Sequence, residues 1–396
     1  MTLEKEMKLI REIAQAVKEI GGTMYFVGGF VRDRLIGKAS KDIDVEIHGI
    51  TEAQVVAVLS TFGFVDKIGA SFGVYLIKGV DIDFALPRTE IKTGDLHTDF
   101  DVTVDPFIGT VGASRRRDFT MNALMEDVLT GELIDHFGGR EDISNRVIRL
   151  VDEETFKEDA LRVLRAVQFS ARFGFEIEFH TRNVMADMDL HHLAKERVYE
   201  EIRKGMTKGS PKDFVKGLKL FPNIKALMPS VKQIHAEYTV PGQEFPINVA
   251  MMGLSLPEEG FKQLLVDFVQ QKQERKTAIA CKKFLFDMMT CESTERAMAT
   301  LISKHQAFLK QEANGVEILF LTERFIEEDT SELFVRVDEK RRACPLQVDG
   351  RWLIANGLNP SPAFASQLHQ AEVMAWLGAE SEEIIKTVVG EKMIVN

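Results

Sequence analysis

Two aspartates with a single residue between them follow soon after a pair of glycines. This feature constrains the possible fold of the chain more than any other. Gly28 and Gly29 follow a short apolar segment and precede a short helical stretch, and Asp42 and Asp44 then alternate with apolar residues. Side chains alternate across a strand, so both carboxylates face the same side while their apolar neighbours pack behind. The order strand, glycine turn, helix and acidic strand predicts a site for a nucleoside triphosphate and its metals.

The chemistry of these residues supports that prediction. Two carboxylates so close repel each other unless a cation lies between them, and Mg²⁺ is usually held by one or two carboxylates plus substrate phosphates. The glycines let the backbone approach a phosphate closely, the helix N-terminus offers unpaired N–H groups, and Arg32 adds a charge. Asp83 lies in a second alternating segment and completes the site if the two strands are neighbours. We expect the nearby Asp81 only to end a turn.

Strand-like segments are confined to the first 150 residues, and from about residue 153 the pattern is helical. This order predicts an α+β fold, with a small β-sheet head followed by an all-α remainder. We divide the chain into a catalytic head at 1–150, a helical neck at 151–220, a helical body at 221–310 and a helical tail at 311–396.

The amino-acid composition disfavours several classes of function. The net charge of −11 disfavours a protein that binds nucleic acid through a generally basic surface, so RNA contacts require local basic patches. No apolar segment approaches the roughly 20 residues that cross a bilayer, and the three cysteines lack metal-ligand spacing; we expect a cytoplasmic protein. One basic series is either a solvated face or a track for RNA phosphates: Lys204, Lys208, Lys212, Lys216 and Lys219.

Several segments resemble one known family. GGFVRDRLIGKASKDIDVEI resembles the signature of class II tRNA nucleotidyltransferases (CCA-adding enzymes) and the related bacterial poly(A) polymerases. Further similar segments follow in order: IDFALPRTE, RRRDFTMNALMED at 115–127, LIDHFGGREDISNRVIR at 133–149 and EDALRVLRAVQFSARFGF at 158–175. The resemblance covers residues 20 to 205 and then thins to the tail segment Gly350–Phe364. It implies a polymerase β-like nucleotidyltransferase head.

The resemblance also implies roles for individual residues. Asp42 and Asp44 would bind two metals, and Asp83 would be the third carboxylate. Asp135 would lie at a hinge between head and neck. The remaining implied roles are triphosphate binding by Gly28, Gly29 and Arg32, ribose binding by Arg117 and Asp118, nucleobase selection by Asp159 and Arg162, and support of the nucleotide pocket by Arg165 and Arg197.

The residue chemistry of Asp159 and Arg162 agrees with nucleobase selection. In a helix starting near Glu158, the two residues are three apart and share one face. Asp accepts a hydrogen bond from an exocyclic amino group and Arg donates to a neighbouring ring nitrogen or carbonyl. Cytosine and adenine carry that amino group, whereas uracil and guanine present a carbonyl. The alternative is an ordinary exposed helical ion pair, worth only about 0.3–0.5 kcal/mol.

The function implied by the family is template-independent addition of C and A to the 3′ end of tRNA from CTP and ATP, by a two-metal mechanism that releases pyrophosphate. Mg²⁺ is the expected cofactor, tRNA the partner, and neither DNA nor a membrane is expected. A CC-adding or A-adding enzyme, a poly(A) polymerase and a catalytically inactive RNA-binding protein remain alternatives. Two features would separate the active classes: how RNA is held, and how the segment Arg88–Ser114 moves between additions. The body has no His-Asp dipeptide, so any phosphohydrolase module there, approached through Gln233–Phe245, would be degenerate.

Overall fold

A computed structural model describes residues 3–39, 42–66, 73–92, 100–237, 239, 241–311 and 328–389. The chain forms two compact units, Met1–Lys232 and Gln233–Asn396. Within the described ranges, none of the helices combines the length and the apolar character that crossing a membrane requires.

The first unit contains a seven-stranded mixed sheet with the strand order β3-β4-β5-β2-β1-β8-β9. Two further pairs, β6 with β7 and β10 with β11, lie outside it. The strands are β1 (Thr23–Val27), β2 (Ile43–His48), β3 (Val65–Asp66), β4 (Val74–Ile77), β5 (Ile82–Ala85), β6 (Arg88–Lys92), β7 (Phe100–Val104), β8 (Met125–Asp127), β9 (Leu133–Ile134), β10 (Val147–Ile148) and β11 (Glu176–Ile177).

The α-helices of the first unit fall into two groups. Five come before β10 in the chain, and six come after it. The first group is α1 (Leu3–Glu19), α2 (Gly29–Ile36), α3 (Glu52–Phe62), α4 (Gly109–Arg115) and α5 (Gly139–Asn145). The second group is α6 (Glu153–Glu158), α7 (Leu161–Phe173), α8 (Phe179–Asp187), α9 (Lys195–Lys208), α10 (Pro211–Leu218) and α11 (Pro222–Leu227).

The central strand β2 has one apolar and one polar face. Ile43, Val45 and Ile47 are buried in the sheet core, which also contains Ile10 and Ile13 of the amphipathic helix α1. Burial of such side chains is worth about 1.5–3 kcal/mol each, and a register slip of one residue would exchange the two faces. The core therefore fixes which side of the sheet carries the carboxylates.

Helix α7 begins later than predicted. We expected a helix starting near Glu158, but α6 ends at Glu158 and α7 begins at Leu161. Asp159 has extended backbone between the two helices, and its carboxylate accepts a hydrogen bond from the Leu161 N–H. Asp favours such positions because its side chain satisfies a backbone donor that helix geometry leaves unpaired.

Helices are the regular elements in the described residues of the second unit. Its helices are α12 (Phe245–Met252), α13 (Glu258–Phe268), α14 (Lys272–Met289), α15 (Glu295–Lys304), α16 (Gln306–Gln311), α17 (Glu328–Ala343), α18 (Gly350–Ala355), α19 (Phe364–Trp376) and α20 (Ser381–Val388). Phe284 is fully buried there and contacts Phe308 and Phe334.

The predicted fold class, a small β-sheet head followed by helical segments, is confirmed. The finer division of the helical part into neck, body and tail stays a prediction. Parts of three predicted segments lie outside the described residues: 93–99 of Arg88–Ser114, 238 and 240 of Gln233–Phe245, and 312–327 and 390–396 of the tail.

Candidate active site

Three carboxylates lie at the beginning of two neighbouring strands. Strands β2 and β5 pair in parallel, and their register places Asp44 directly opposite Asp83. Asp42 immediately precedes β2. Asp44 is half-buried, whereas Asp42 and Asp83 are exposed. The predicted pairing of the two acidic strands is therefore present.

The charges of these side chains affect one another. Burial raises the pKa of Asp44, the Arg117 guanidinium opposes that rise, and Asp83 and Asp42 add to it. Burial also raises the pKa of Asp83, with further contributions from Asp81 and Asp42. A cation placed among these carboxylates would relieve their mutual repulsion.

The donor set suits a hard divalent cation whose coordination is completed by a substrate. Among the residues that the structure describes, no three His, Cys, Asp or Glu side chains converge closely enough to form a metal site by themselves. A cation bound by one or two carboxylates requires additional oxygen ligands, and triphosphate oxygens supply them in many nucleotide enzymes.

The glycine turn leads directly into α2. Gly28 is the residue before the helix and has φ +61°, a conformation that favours glycine. A Cβ atom at Gly28 would lie 3.6 Å from Nη1 of Arg117, within ordinary contact distance. The unpaired N–H groups of the first helical turn begin at Gly29, which also lines the cavity described below.

Arg32 is held rigidly on the same helix. Its guanidinium donates to Asp33 through Nε at 2.8 Å and to the side-chain oxygen of Asn122 through Nη1 at 2.5 Å. The Cζ atom lies 5.1 Å from the ring centroid of Phe169 and 4.8 Å from that of Phe173. Burial lowers the pKa of Arg32, and Asp33 opposes that shift. Packing against Phe169 and Phe173 ties α2 to α7.

Asp118 is a buried junction between the head and α7. Its Oδ2 accepts two hydrogen bonds from Arg165, at 2.8 Å from Nε and 2.7 Å from Nη2. Its Oδ1 accepts from the Phe119 N–H and from Nδ2 of Asn122, both at 2.8 Å. Burial raises the pKa of Asp118, but the Arg165 charge and the Asn122 hydrogen bond outweigh it, so the pKa is lowered.

Asp159 and Arg162 are oriented by separate partners. Oδ2 of Asp159 accepts from Nη2 of Arg197 at 2.8 Å, while its Oδ1 accepts from the Leu161 N–H at 3.0 Å. Arg162 donates from Nη1 to the Thr155 carbonyl at 2.9 Å and from Nη2 to the Arg116 carbonyl at 2.7 Å. Such contacts differ from the exposed ion pair considered above. Both residues line the cavity, each held by its own partners.

Most of these residues line one cavity of about 520 Å³. Asp83 is not among the residues that line it; it lies beside the cavity through its pairing with Asp44. Asp135 has another position, where its carboxylate accepts backbone N–H groups of Phe137, Gly139 and Arg140 at the start of α5. The predicted residues that line the cavity are Gly28, Gly29, Arg32, Asp42, Asp44, Arg117, Asp118, Asp159, Arg162, Arg165 and Arg197.

Asn122 and Glu46 are among the polar residues near the site that the sequence-based prediction missed. Asn122 bridges Arg32 and Asp118, and Glu46 accepts from Arg117 at 3.0 Å. The available signal for Glu46 was the alternation of β2, which puts it on the same face as Asp44. For Asn122 the signal was its place in the segment RRRDFTMNALMED.

The chain is similar to known proteins in the region that forms this cavity. Residues 24–149 match the family model of the poly A polymerase head domain. A multifunctional CCA protein of Stenotrophomonas maltophilia strain K279a is 39% identical over 225 residues, which are 55% of this chain and 53% of the relative. That of Haemophilus ducreyi is 34% identical over 221 residues, 54% and 52% of the two chains. The chain thus spans about half the length of the curated relatives it matches.

Solved structures extend the similarity of fold over nearly the whole chain. The Bacillus stearothermophilus CCA-adding enzyme in complex with CTP has a TM-score of 0.73 at 22% identity and covers 98% of each chain. The Thermotoga maritima CCA-adding enzyme complexed with tRNA has a TM-score of 0.65 at 22% identity, again covering 98% of each chain. The resemblance predicted from the sequence is confirmed: residues 24–149 match the poly A polymerase head domain, and about half of the chain is 34–39% identical to multifunctional CCA proteins.

Proposed function

We propose that this protein is a tRNA nucleotidyltransferase that adds C and A residues to the 3′ end of tRNA without a template, using CTP and ATP and releasing pyrophosphate. The observation that carries the proposal is one cavity lined by the acidic strand, the glycine turn, Asp159 and Arg162. The relatives' names, multifunctional CCA protein and CCA-adding enzyme, support the same activity.

In this proposal the head binds the triphosphate and the sugar. The first turn of α2 offers backbone N–H groups to the phosphates, and the buried Arg32 adds a charge that Asp33 and Asn122 hold in place. Arg117 and Asp118 face the ribose. Since Asp118 already accepts hydrogen bonds at both oxygens, we assign the first contact with the 2′-hydroxyl to Arg117 and a shared contact to Asp118.

Asp42 and Asp44 would hold divalent metal, with Asp83 as the third carboxylate, and we propose Mg²⁺ as the ion. The chemistry supplied by the metal, when bound, is stabilisation of negative charge on the attacking 3′-hydroxyl oxygen and on the departing pyrophosphate. Asp83 is the group of this chain placed to accept the hydroxyl proton, because it lies opposite Asp44 and is exposed.

Base selection would depend on Asp159 and Arg162. Oδ2 of Asp159 accepts one hydrogen bond from Arg197 and can accept a second from the amino group of cytosine or adenine. Uracil and guanine would place a carbonyl oxygen against the carboxylate. Such an unpaired buried contact costs about 1–3 kcal/mol, enough for discrimination in favour of C and A. Arg165 and Arg197 would support this pocket.

We also propose a cytoplasmic location, because the three cysteines are free, as thiols in a reducing compartment are. The second candidate function is polyadenylation, since the matched head domain is named for poly A polymerases. A CC-adding or A-adding enzyme shares the same head chemistry. A catalytically inactive RNA-binding protein would have no need of the opposed carboxylates.

The test is single-nucleotide extension of three tRNA transcripts, ending before CCA, after C and after CC, with each of the four nucleoside triphosphates alone and Mg²⁺. We expect CTP to extend the first two transcripts and ATP only the third. Long A tracts on any RNA would assign the protein to polyadenylation, and addition of one nucleotide type would assign it to a partial enzyme. Absence of any incorporation would overturn the proposal.

A further inference from the structure

Glu46 is a fully buried carboxylate on the acidic strand. It follows Asp44 by two positions in β2, shares the same face of the sheet and has 0% of its surface exposed. A charge removed from water in this way is tolerated only with charged or hydrogen-bonding partners. Because it is buried, Glu46 cannot itself touch a nucleotide, and its effect must pass through its partners.

Those partners are three cationic or polar side chains that surround both oxygens. Oε1 lies 2.9 Å from Nε2 of His48. Oε2 accepts from Nη2 of Arg117 at 3.0 Å and from Nη2 of Arg116 at 3.3 Å. One carboxylate oxygen therefore holds two consecutive arginines of the loop that follows α4. The buried His48, on the other oxygen, holds the same carboxylate in position.

Each of the two arginines leads to a different part of the cavity. Arg117 lines the cavity beside Gly28, where a Cβ atom would lie 3.6 Å from its Nη1. Arg116 presents its backbone carbonyl to Nη2 of Arg162 at 2.7 Å. Contacts thus run from Glu46 through Arg117 to the glycine turn, and through Arg116 to Arg162.

We propose that Glu46 is a positioning residue that fixes Arg117 against the ribose of the incoming nucleotide and, through Arg116, holds Arg162 in its base-reading orientation. This inference rests on the proposed function. It assigns selection of ribose over deoxyribose to a buried residue outside the cavity. A merely structural role would reduce all activities in proportion, whereas a positioning role changes selectivity.

The first experiment compares kcat/KM for CTP and dCTP in the wild type and in Glu46→Gln, which keeps the size of the side chain and removes its charge. We expect the CTP:dCTP ratio to fall by about tenfold, the effect of weakening one charge-assisted hydrogen bond. The matched control is Glu126→Gln, which removes a Glu–Arg pair at 2.9 Å from the same sheet, outside the cavity. Its ratio should equal that of the wild type.

A double mutant then tests the route of the effect. If Glu46 acts through Arg117, the CTP:dCTP ratio of Glu46→Gln combined with Arg117→Ala should equal that of Arg117→Ala alone. Independent, multiplying effects would overturn the proposal, as would equal losses for CTP and dCTP in Glu46→Gln. Should Glu46→Gln fail to fold, Glu46→Asp keeps the charge but withdraws it from the arginines. We expect the ratio to fall there too, and an unchanged ratio would contradict us.

Equilibrium binding separates this inference from the proposed function. CTP and dCTP are titrated into the full-length wild type and Glu46→Gln without RNA. If the wild type adds no nucleotide but prefers CTP, and Glu46→Gln loses that preference, the proposed function fails while the positioning role stands. If the wild type binds CTP and dCTP equally, the positioning role is wrong even where nucleotide addition is observed.

Discussion

Asp44 and Asp83 are paired residues in the parallel register of β2 with β5. Their flanking pairs, Ile43 with Ile82 and Val45 with Phe84, are all buried, so the apolar core fixes the alignment of the carboxylates. A slip by one residue would turn one carboxylate into the core, at a cost of several kcal/mol for an unpaired buried charge. The geometry of the acidic site is therefore a consequence of packing.

Asp83→Asn should reduce nucleotide incorporation by at least about a hundredfold, because it removes the carboxylate opposite Asp44. Single-turnover extension of a tRNA transcript with CTP measures this loss. The control is Asp81→Asn, an exposed aspartate just before β5, whose rate should stay close to that of the wild type. Equal losses in the two variants would show that general charge in this loop, not the opposed carboxylate, matters.

Gly28→Ala should weaken CTP binding, because an L side chain is strained at φ +61° by about 1–2 kcal/mol and the turn must relax. Gly37→Ala is a close control, since Gly37 has φ +78° at the other end of the same helix and lies outside the cavity. Both variants should lose stability, but only Gly28→Ala should raise the Kd for CTP. An unchanged Kd in Gly28→Ala would argue against triphosphate binding at this turn.

Arg197→Ala should reduce the preference for CTP over UTP by about three- to tenfold, because Asp159 loses the hydrogen bond that orients its Oδ2. Competition between the two nucleotides in one extension reaction measures the preference. Glu196→Ala, on the exposed side of the same helix, provides the control. A preference unchanged in Arg197→Ala would mean that Asp159 is oriented without Arg197.

Asp118 makes the stability of the first unit depend on acid pH. Its pKa is lowered in the folded protein, so the unfolded chain binds the proton first as the pH falls. The stabilisation is complete above the unfolded value of about 4 and is lost as the pH falls through the lowered pKa. We expect the Tm difference between wild type and Asp118→Asn to be largest at neutral pH and to shrink below about pH 4. A constant difference across that range would contradict this assignment.

The parts of the fold that follow a regular apolar pattern were predictable from the sequence. The apolar segment before Gly28 corresponds to β1, and the two alternating segments that carry Asp44 and Asp83 correspond to β2 and β5. Strands β9, β10 and β11 have two residues each, too few for an alternating pattern to be visible. Their pairing depends on neighbours distant in sequence.

The sequence also predicted most of the cavity but not how its side chains are held. We expected Asp159 inside a helix that starts near Glu158, whereas its carboxylate accepts a hydrogen bond from the Leu161 N–H before α7 begins. The sequence pattern did not indicate that Glu46 is buried, since a carboxylate in an alternating strand is usually exposed to solvent. Its two arginines lie seventy or more positions away, and only the folded sheet brings them together.

The most direct test of whether the acidic strand carries the reaction is to measure metal-dependent pyrophosphate release by Asp44→Asn and by the wild type. The wild type, Asp44→Asn and Glu126→Gln are each given CTP and a tRNA transcript that ends before CCA, with Mg²⁺ or with a chelator. We predict one pyrophosphate per nucleotide added by the wild type and Glu126→Gln, abolished by chelation, and at most about a hundredth of that rate for Asp44→Asn. Release by Asp44→Asn at the wild-type rate, or release that continues after chelation, would contradict a nucleotidyl-transfer site built on this strand.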